Sequence, residues 1–274
     1  MESILQAFKL LALPDNKQMS ELIFTQLLNI PLIQEGDNIP EILYDIARKQ
    51  SIDFEDGDIL AVTSKIISKA EGRMVNLNDI KPSDAARQLG EDSKRDPRLM
   101  ELLLSESKEI LRVSEQAIIV EHHLGFVCAN AGIDHSNVQG NYGNKEDWFL
   151  LLPKSPDASA EKIRIFVKQT TGKDIGVIII DSHGRPWRKG TVGVIIGTSR
   201  VPALIDLRGK TDLFGYQLRI SEISAADELA GAASLMMGQA DEKIPAIHIR
   251  GFPYPLCDSS IRDILRPKNK DLFR

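Results

Sequence analysis

The chain has 274 residues, which is enough for one large domain or two intertwined ones. Asp and Glu total 39 and Lys and Arg total 34, so the formal net charge is −5. This acidic excess argues against general DNA binding, which needs surplus positive charge, although local basic pockets for phosphates stay possible. Hydrophobic residues make up 42% and charged residues 27% of the chain, which is typical of a globular protein and excludes overall disorder.

Cysteine content and apolar segments indicate the compartment. Cys128 and Cys257 are too few for a disulfide framework or a thiolate zinc site, which favours a reducing environment. No apolar run reaches the roughly 18–20 residues needed to cross a bilayer, and the N-terminus lacks the basic region and cleavage site of a signal peptide. We therefore expect a cytoplasmic protein with neither a membrane nor a nucleic acid as partner.

The first half of the chain is predicted to alternate between helices and strands. The predicted elements are a helical extension over 1–28 broken at 13–16, a strand within 29–37, an amphipathic helix over 41–50, an apolar strand at 59–64 that leads to Lys65 and Lys69, and a charged helical zone over 83–112.

The second half continues this alternation. The predicted elements are a hairpin over 115–134 that turns at 122–125, a loop over 139–147, a strand at 148–153, a helix over 156–172 with Asp157 or Ser159 as its cap and Gly172 as its stop, strands at 174–181 and 191–199, a helix over 225–243 with Gly238 at its C-terminal cap, and a strand at 244–252. Interleaved strands and helices predict a mixed α/β (α+β) fold.

The first cluster with chemical potential is TSKIISK at 63–69, where two lysines and three hydroxyls follow the apolar strand. Lys65 and Lys69 are four residues apart and share one face of a helix. Hydroxyls, ammonium groups and the amides of a helix start form an anion site. A solvated basic face explains the same residues equally well, and the glycines of a Walker A loop are missing.

Two further clusters contain carboxylates. Asp134 and Asn137 lie in a loop after a strand, where a carboxylate suits a hard cation, although such turns are also common for structural reasons. Asp181, Ser182 and His183 follow five apolar residues and precede Arg185, Arg188 and Lys189. An acid and a hydroxyl at a strand end suit Mg²⁺ or Mn²⁺, and the cations suit phosphate or carboxylate.

Two last stretches, 206–215 and 237–244, have weaker signals. The first combines charges and glycines and predicts a turn with an ion pair. The second is a helix end rich in oxygen ligands, either a nucleotide or metal contact or a capped terminus.

No cysteine has an adjacent histidine, and no Gly-x-Ser-x-Gly elbow is present. Cations, carboxylates and hydroxyls without a nucleophile suit a metal-assisted phosphate reaction.

Taken in order, seven stretches make the chain resemble the coenzyme F-420:L-glutamate ligase family. They are GDILAVTSKIISKAEGR, GIDHSNV, LLPKSPDASA, DSHGRPWRKG, DLRGKTDLFG, ADELAGAASLMMGQADEKIP and RPKNKDLFR. The resemblance covers residues 29–274, nearly nine-tenths of the chain. It implies a gamma-glutamyl ligase fold with mixed sheets and flanking helices, built as one unit or as two intertwined subdomains, and an intertwined homodimer.

The resemblance also implies a reaction. GTP phosphorylates the terminal carboxylate of a deazaflavin precursor, the amine of L-glutamate attacks the acyl phosphate, and GDP and phosphate are released. Some members repeat the addition and build a gamma-glutamyl tail. The family uses Mg²⁺ or Mn²⁺ together with K⁺. Lys65, Lys69 and Arg185 are the catalytic candidates, and their charges would offset developing negative charge.

The remaining site residues are implied by position in the same family pattern. The divalent-metal ligands are Asp134, Asp181 and the hydroxyl of Ser182, and Gln239 is the companion ligand of a second cation. The implied GTP contacts are Pro31, Leu32, Ile33, Gln34, Ser64, Lys65, Lys69, Asn137, Met237, Gly238, Gln239, Ala240, Asp241, Glu242, Lys243 and Ile244.

Three departures from the family pattern keep the acceptor open. Residues 1–28 have no counterpart, the loop at 139–148 replaces a shorter glycine-rich segment, and His183 replaces an aromatic residue. A paralogous GTP-dependent amide ligase with another carboxylate acceptor is therefore one alternative. A non-catalytic nucleotide-binding module is another, although the presence of every implied metal ligand argues against it.

Overall fold

The computed structural model describes residues 21–272. The strands are β1 (Ile23–Gln26), β2 (Ile59–Thr63), β3 (Met74–Asn76), β4 (Ser107–Val113), β5 (Ile118–His122), β6 (Val127–Ala129), β7 (Trp148–Leu150), β8 (Gly176–Arg185), β9 (Arg188–Ser199), β10 (Ile205–Asp206), β11 (Glu222–Ile223) and β12 (Ala246–Arg250). The helices are α1 (Ile39–Lys49), α2 (Ser64–Ala70), α3 (Asp84–Ser93), α4 (Pro97–Glu106), α5 (Pro156–Thr171) and α6 (Ala225–Met237). The predicted mixed α/β fold is confirmed.

A five-stranded mixed sheet in the order β1-β12-β2-β8-β9 forms the centre of the protein. Only β2 and β8 run parallel within it, and the other neighbours are antiparallel. Parallel neighbours need a long crossover, which the chain between β2 and β8 supplies. Because β2 and β8 are covered on both faces, they read as continuous apolar runs, ILAVT and GVIII.

Helices cover both faces of this sheet. Helices α1, α2 and α5 pack with one side of β2, β8 and β12 in the larger apolar core. Helix α6 packs on the opposite face against Ile59, Ile178 and Ile195. It approaches closely because Gly193 has no side chain there: a Cβ on Gly193 would lie 2.5 Å from the carbonyl oxygen of Ala230. Close packing of α6 therefore depends on glycine in β9.

A buried ionic cluster joins β2 to β12. The Asp58 carboxylate, 2% exposed just before β2, accepts hydrogen bonds from His248 Nε2 at 2.8 Å and from Arg250 Nε and Nη2 at 2.9 and 2.7 Å. Burial raises the pKa of Asp58, but Arg250 and His248 outweigh burial and lower it from 3.8 to about 2. The carboxylate therefore stabilises the sheet only while it is ionised.

Smaller sheets flank the central one. Strands β4, β5 and β6 form an antiparallel sheet, β3 pairs with β7, and β10 pairs with β11. The predicted hairpin over 115–134 is confirmed as β5 and β6. The turn at 206–215 contains the predicted ion pair, with Arg208 Nη2 at 2.6 Å from Asp206 Oδ2. No helix within 21–272 is long and apolar enough to span a membrane.

Two predictions for the N-terminal region are wrong. Residues 23–26 were expected in a helical extension, but they form the edge strand β1 against β12, with Phe24 packed on the second core. Residues 29–37 were expected to contain a strand, yet they run without sheet pairing to a turn at 35–36, with Ile33 in the main core. A short apolar run cannot show which partner it pairs with. The predicted helix over 1–20 lies outside the described residues.

Further corrections concern where elements end. The predicted helical zone over 83–112 stops at Glu106, and Ser107–Val113 is strand β4. Helix α5 begins after Ser155 without a side-chain cap from Asp157 or Ser159, although the stop at Gly172 is confirmed. Helix α6 ends at Met237 instead of 243, because Gly238 takes a positive φ of 74° and breaks the helix as its cap.

Candidate active site

The parallel pair β2 and β8 places Ser64 beside Asp181. Thr63 is the register partner of Ile180, so the next residue of each strand lies at the same level. Ser64 begins helix α2 there, and its buried hydroxyl donates a 2.7 Å hydrogen bond to Asp181 Oδ1. His183 Nε2 lies 3.1 Å from the other carboxylate oxygen, Oδ2. Ser64 therefore holds one oxygen of the Asp181 carboxylate, and His183 lies close to the other without a hydrogen bond to it.

Asp181 was predicted to end its strand, and this is wrong. Strand β8 continues to Arg185 and turns at residues 186–187 into β9, so Asp181 pairs with Val194 inside a hairpin. The pairing of β8 with β9 shifts register between Ile179 and Ile180, where the apolar first half of β8 meets its polar second half. Beyond Ile180, strand β8 loses its parallel neighbour β2, which is followed by a helix, but it keeps its antiparallel partner β9. The sequence around Asp181 does not show this pairing.

A left-handed turn carries the second carboxylate to the same place. Asn130, Ala131 and Gly132 have φ values of 51°, 53° and 64°, which reverse the chain after β6. A Cβ on Gly132 would lie 2.6 Å from Leu152 Cδ1, so the turn needs a residue without a side chain at this position. Asp134 then exchanges backbone hydrogen bonds of 2.9 and 2.8 Å with Leu150. Its backbone is held while its side chain faces Lys65.

Lys65 and Asp134 form the central ion pair of the site. Lys65 Nζ lies 2.7 Å from Asp134 Oδ2 and donates to the hydroxyl and carbonyl oxygens of Ser136 at 2.6 and 3.1 Å. Asp134 Oδ1 accepts from the Ser136 amide at 2.7 Å. Burial raises the pKa of Asp134, but Lys65 and Ser136 outweigh it and hold the pKa below 3.8. The carboxylate is therefore ionised at neutral pH.

Lys69 extends the site along the same helix face. Its Nζ donates a 2.8 Å hydrogen bond to the carbonyl oxygen of Asn137. Burial lowers the pKa of Lys69 and the charge of Lys65 lowers it further, while Asp134 acts in the opposite direction, so the pKa lies below 10.5. Asn137 Nδ2 in turn donates to the carbonyl oxygen of Ala240 at 2.8 Å. The residues after α6 are thus tied to the lysine pair.

The end of helix α6 contributes an amide. Gln239 Oε1 accepts a 3.0 Å hydrogen bond from the hydroxyl of Ser182, and its Nε2 donates to Ser234 at 3.1 Å. The Glu242 carboxylate accepts from the Ala240 amide at 2.7 Å and holds the loop that follows the helix. Ser182 and Gln239, which were predicted as ligands of two different cations, are therefore neighbours.

These groups meet at one end of a large cleft. Ser64, Lys65, Asp134 and Asp181 line one small pocket. Lys65, Asp134 and Asp181 also line a cleft of about 1330 Å³, together with Ser136, Ser182 and Gln239. The cleft continues past the hairpin of β8 and β9 along strands β4, β5 and β6. Carboxylates, ammonium groups and hydroxyls at its end form a site for anionic ligands and hard cations.

Comparison with known proteins shows the family of the chain. Residues 27–251 match the model of F420-0:Gamma-glutamyl ligase. The chain belongs to this ligase family. It is 43% identical to the coenzyme F420:L-glutamate ligase of Methanothermobacter thermautotrophicus over 89% of this chain and 96% of the relative, and 44% identical to that of Methanocaldococcus jannaschii over 90% and 95%. The resemblance stated from the sequence is confirmed.

Some positions implied by the gamma-glutamyl ligase pattern lie outside this cluster. Arg185 lines the same cleft but lies on the hairpin, where its Nη2 donates to the carbonyl oxygen of Lys189 at 3.2 Å. Pro31, Leu32, Ile33 and Gln34 are not among the residues that line the cleft. Their loop lies against the end of α2, where the Gly36 amide donates to the Ala70 carbonyl oxygen at 2.9 Å. Their nucleotide contacts stay predictions.

Several residues of the site were missed by the sequence reasoning. Ser136 bridges Lys65 and Asp134, and its only sequence signal was the Asp-x-Ser spacing of a side-chain turn. His183 was noted as a replacement of an aromatic residue, but its position 3.1 Å from Asp181 was not predicted. Arg112 and Lys268 line the cleft without any local motif. They reach it through strand pairing and through the C-terminal segment, which no short pattern shows.

The donor set fits a divalent cation that also binds a substrate. Within residues 21–272, no three His, Cys, Asp or Glu side chains converge as a metal site. Asp134 and Asp181 nevertheless line one pocket, with a hydroxyl and an amide oxygen nearby at Ser182 and Gln239. Mg²⁺ is usually held by one or two carboxylates plus substrate phosphates, and Mn²⁺ accepts the same oxygen donors.

Proposed function

We propose that this protein is a GTP-dependent ligase that joins L-glutamate through an amide bond to the deazaflavin precursor of coenzyme F420. The observation that carries the proposal is the convergence of Ser64, Lys65, Asp134 and Asp181 on one pocket at the end of the cleft. The relatives named coenzyme F420:L-glutamate ligase match 88–90% of the chain and support the choice of substrates.

The proposed chemistry has two transfers. A carboxylate oxygen of the acceptor attacks the γ-phosphorus of GTP, the bond from that phosphorus to the bridging oxygen breaks, and GDP leaves. The amine of L-glutamate then attacks the carbonyl carbon of the acyl phosphate, phosphate leaves, and the amine gives up a proton. Repetition of this cycle on the product would build a gamma-glutamyl tail.

The charged side chains have distinct roles in this scheme. Lys65 and Lys69 stand on one face of α2 and would neutralise charge on the nucleotide phosphates. Asp134, Asp181 and Ser182 would hold Mg²⁺ or Mn²⁺, which would neutralise negative charge on the phosphates, and Gln239 would serve K⁺. Arg185, on the hairpin rim, would bind an anionic substrate. We further propose that the ligase works as a homodimer.

Mass spectrometry tests the reaction directly. The full chain is incubated with the deazaflavin precursor, GTP, L-glutamate and Mn²⁺, and we expect a product heavier by one glutamate residue. Asp134→Ala and Asp181→Ala should abolish GDP release, whereas Asp84→Ala, at a fully exposed carboxylate in the first turn of α3, should not. Unchanged turnover in the first two variants would show that the metal assignment is wrong.

The paralogous ligase alternative rested on the loop at 139–148. In the structure this loop folds back on itself, with Gly140 over the Trp148 ring and Trp148 Nε1 donating to the carbonyl oxygen of Tyr142 at 2.7 Å. None of its residues is among those that line the cleft. The loop therefore does not border the cleft within this chain, and the paralogous ligase stays the alternative that the mass-spectrometric assay tests.

A further inference from the structure

The cleft extends well beyond the residues that the proposed reaction uses. Its floor is the outer face of the sheet formed by β4, β5 and β6. Arg112, Ile119 and Ala129 are register partners across the three strands and all line the cleft. Because register partners point to the same face of a sheet, they form one continuous row. Val127, on the same face of β6, is 39% exposed and widens its apolar part.

The row begins at Ala129, after which the chain turns at 130–132 and reaches Asp134, another residue of the cleft lining. The ring of Phe126, the residue before β6, lies 5.3 Å from the ring of His183, which in turn faces Asp181. Strand β6 therefore borders the carboxylate. From Ala129 to Arg112 the row crosses two strand spacings, or about 10 Å. An apolar floor about 10 Å wide thus connects the catalytic carboxylates to an arginine.

Arg112, at the far end of the row, differs from Lys268, a cation of the C-terminal segment that lines the same cleft. Lys268 Nζ is neutralised by Glu109 at 2.5 Å and by Glu121 at 3.0 Å. Arg112 is exposed and forms no ion pair or side-chain hydrogen bond with any residue from 21 to 272. A guanidinium next to an apolar surface stacks on planar groups and binds carboxylate or phosphate through two parallel hydrogen bonds.

We propose that Arg112 and the row Ile119–Ala129 form the subsite that binds the acceptor of the ligation: a flat aromatic ring system lies on the apolar strands and an anionic group binds Arg112. The proposal rests on the function proposed above. The cleft volume of about 1330 Å³ exceeds what a drug-sized ligand needs, so the acceptor fits beside the nucleotide. Glutamate addition then takes place at the opposite end, where Asp134 and Asp181 lie.

Steady-state kinetics of Arg112→Gln test the anionic contact. Loss of one charge-assisted contact should raise the KM of the deazaflavin acceptor by about tenfold to a hundredfold. The KM of GTP and kcat should stay within twofold, because Arg112 is not near the nucleotide end in this assignment. Arg48→Gln, at an exposed arginine on helix α1, is the matched control and should change nothing. An unchanged acceptor KM in Arg112→Gln overturns the subsite.

A steric variant tests the apolar floor independently. Ala129→Phe fills the row and should abolish binding of the acceptor, measured by equilibrium dialysis, while GDP binding persists and reports that the fold is intact. Val113→Phe adds the same ring at an exposed valine of β4 outside the cleft lining and should bind normally. If Ala129→Phe instead changes the molecular mass in solution and leaves acceptor binding intact, the floor is an interface between two copies and the proposal is wrong.

The two proposals fail in different ways. If the wild-type protein forms no glutamate adduct with the deazaflavin, the proposed function is wrong. If the wild type forms the adduct and both variants match it in acceptor KM and binding, the function stands and only the subsite is wrong.

Discussion

Removal of one hydroxyl at the junction of β2 and α2 should expose how Asp181 is held. Ser64 is 3% exposed and donates a 2.7 Å hydrogen bond to Asp181 Oδ1. A hydrogen bond to a charged group contributes about 1.5–3 kcal/mol. If the bond fixes Asp181 for the transition state, Ser64→Ala should lower kcat/KM by a factor of about 10 to 150, since about 1.4 kcal/mol corresponds to a factor of ten.

The assay must separate this role from a direct nucleotide contact, which the family pattern implies for Ser64. We expect Ser64→Ala to raise the Mn²⁺ concentration that gives half-maximal GDP release and to leave GDP affinity without metal unchanged. Ser93→Ala is the matched control, because it also removes a buried hydroxyl, one bonded to the carbonyl oxygen of Leu89 within α3. A loss confined to metal-free nucleotide affinity would refute the role through Asp181.

Three further outcomes are expected. The pKa of Asp58 is lowered from 3.8 to about 2, so its stabilisation is complete above about pH 4 and is lost as the pH falls through 2. In urea unfolding, the difference in free energy of unfolding between the wild type and Asp58→Asn should be about 1 kcal/mol smaller at pH 3 than at pH 6. Gly193→Ala should destabilise the fold by about 1–3 kcal/mol in the same assay, whereas Gly231→Ala, whose Cβ would make only an ordinary contact at 3.9 Å with the Gly193 carbonyl oxygen, should not. Lys65→Met should lower kcat/KM for GTP by about a hundredfold to a thousandfold in a GDP-release assay, and Lys162→Met, at an exposed lysine of α5, should leave it unchanged.

The sequence predicted those parts of the fold whose signal is local. The apolar run before Ser64 and the helical spacing of Lys65 and Lys69 predicted β2 and α2 correctly, because burial and periodicity are properties of consecutive residues. Glycines at the ends of α5 and α6 were predicted as caps for the same reason. Pairing partners are not local, and the strand at residues 23–26 was accordingly mistaken for helix.

The candidate site shows the same division. Asp134 and Asp181 were identified as carboxylates that follow strands, and the structure brings both to one pocket. Their neighbours could not be predicted, because Ser64 reaches Asp181 only through the parallel register and Arg112 reaches the cleft only through two antiparallel ones. A register is a relation between distant segments, and a slip by one residue would turn each side chain to the other face.

The ligands of the two proposed cations therefore depend on different parts of the fold. The contact between Ser64 and Asp181 spans β2 and β8, whose register is set by an apolar core on both faces. The contact between Ser182 and Gln239 depends instead on where α6 ends, and α6 is positioned by its close approach to Gly193. A methyl group on Gly193 pushes the helix outward and displaces Gln239 while leaving β2 and β8 in register. Gly193→Ala should thus weaken the response to K⁺, which depends on Gln239, more than the response to Mn²⁺, for which Asp134 and Asp181 are also ligands in this assignment.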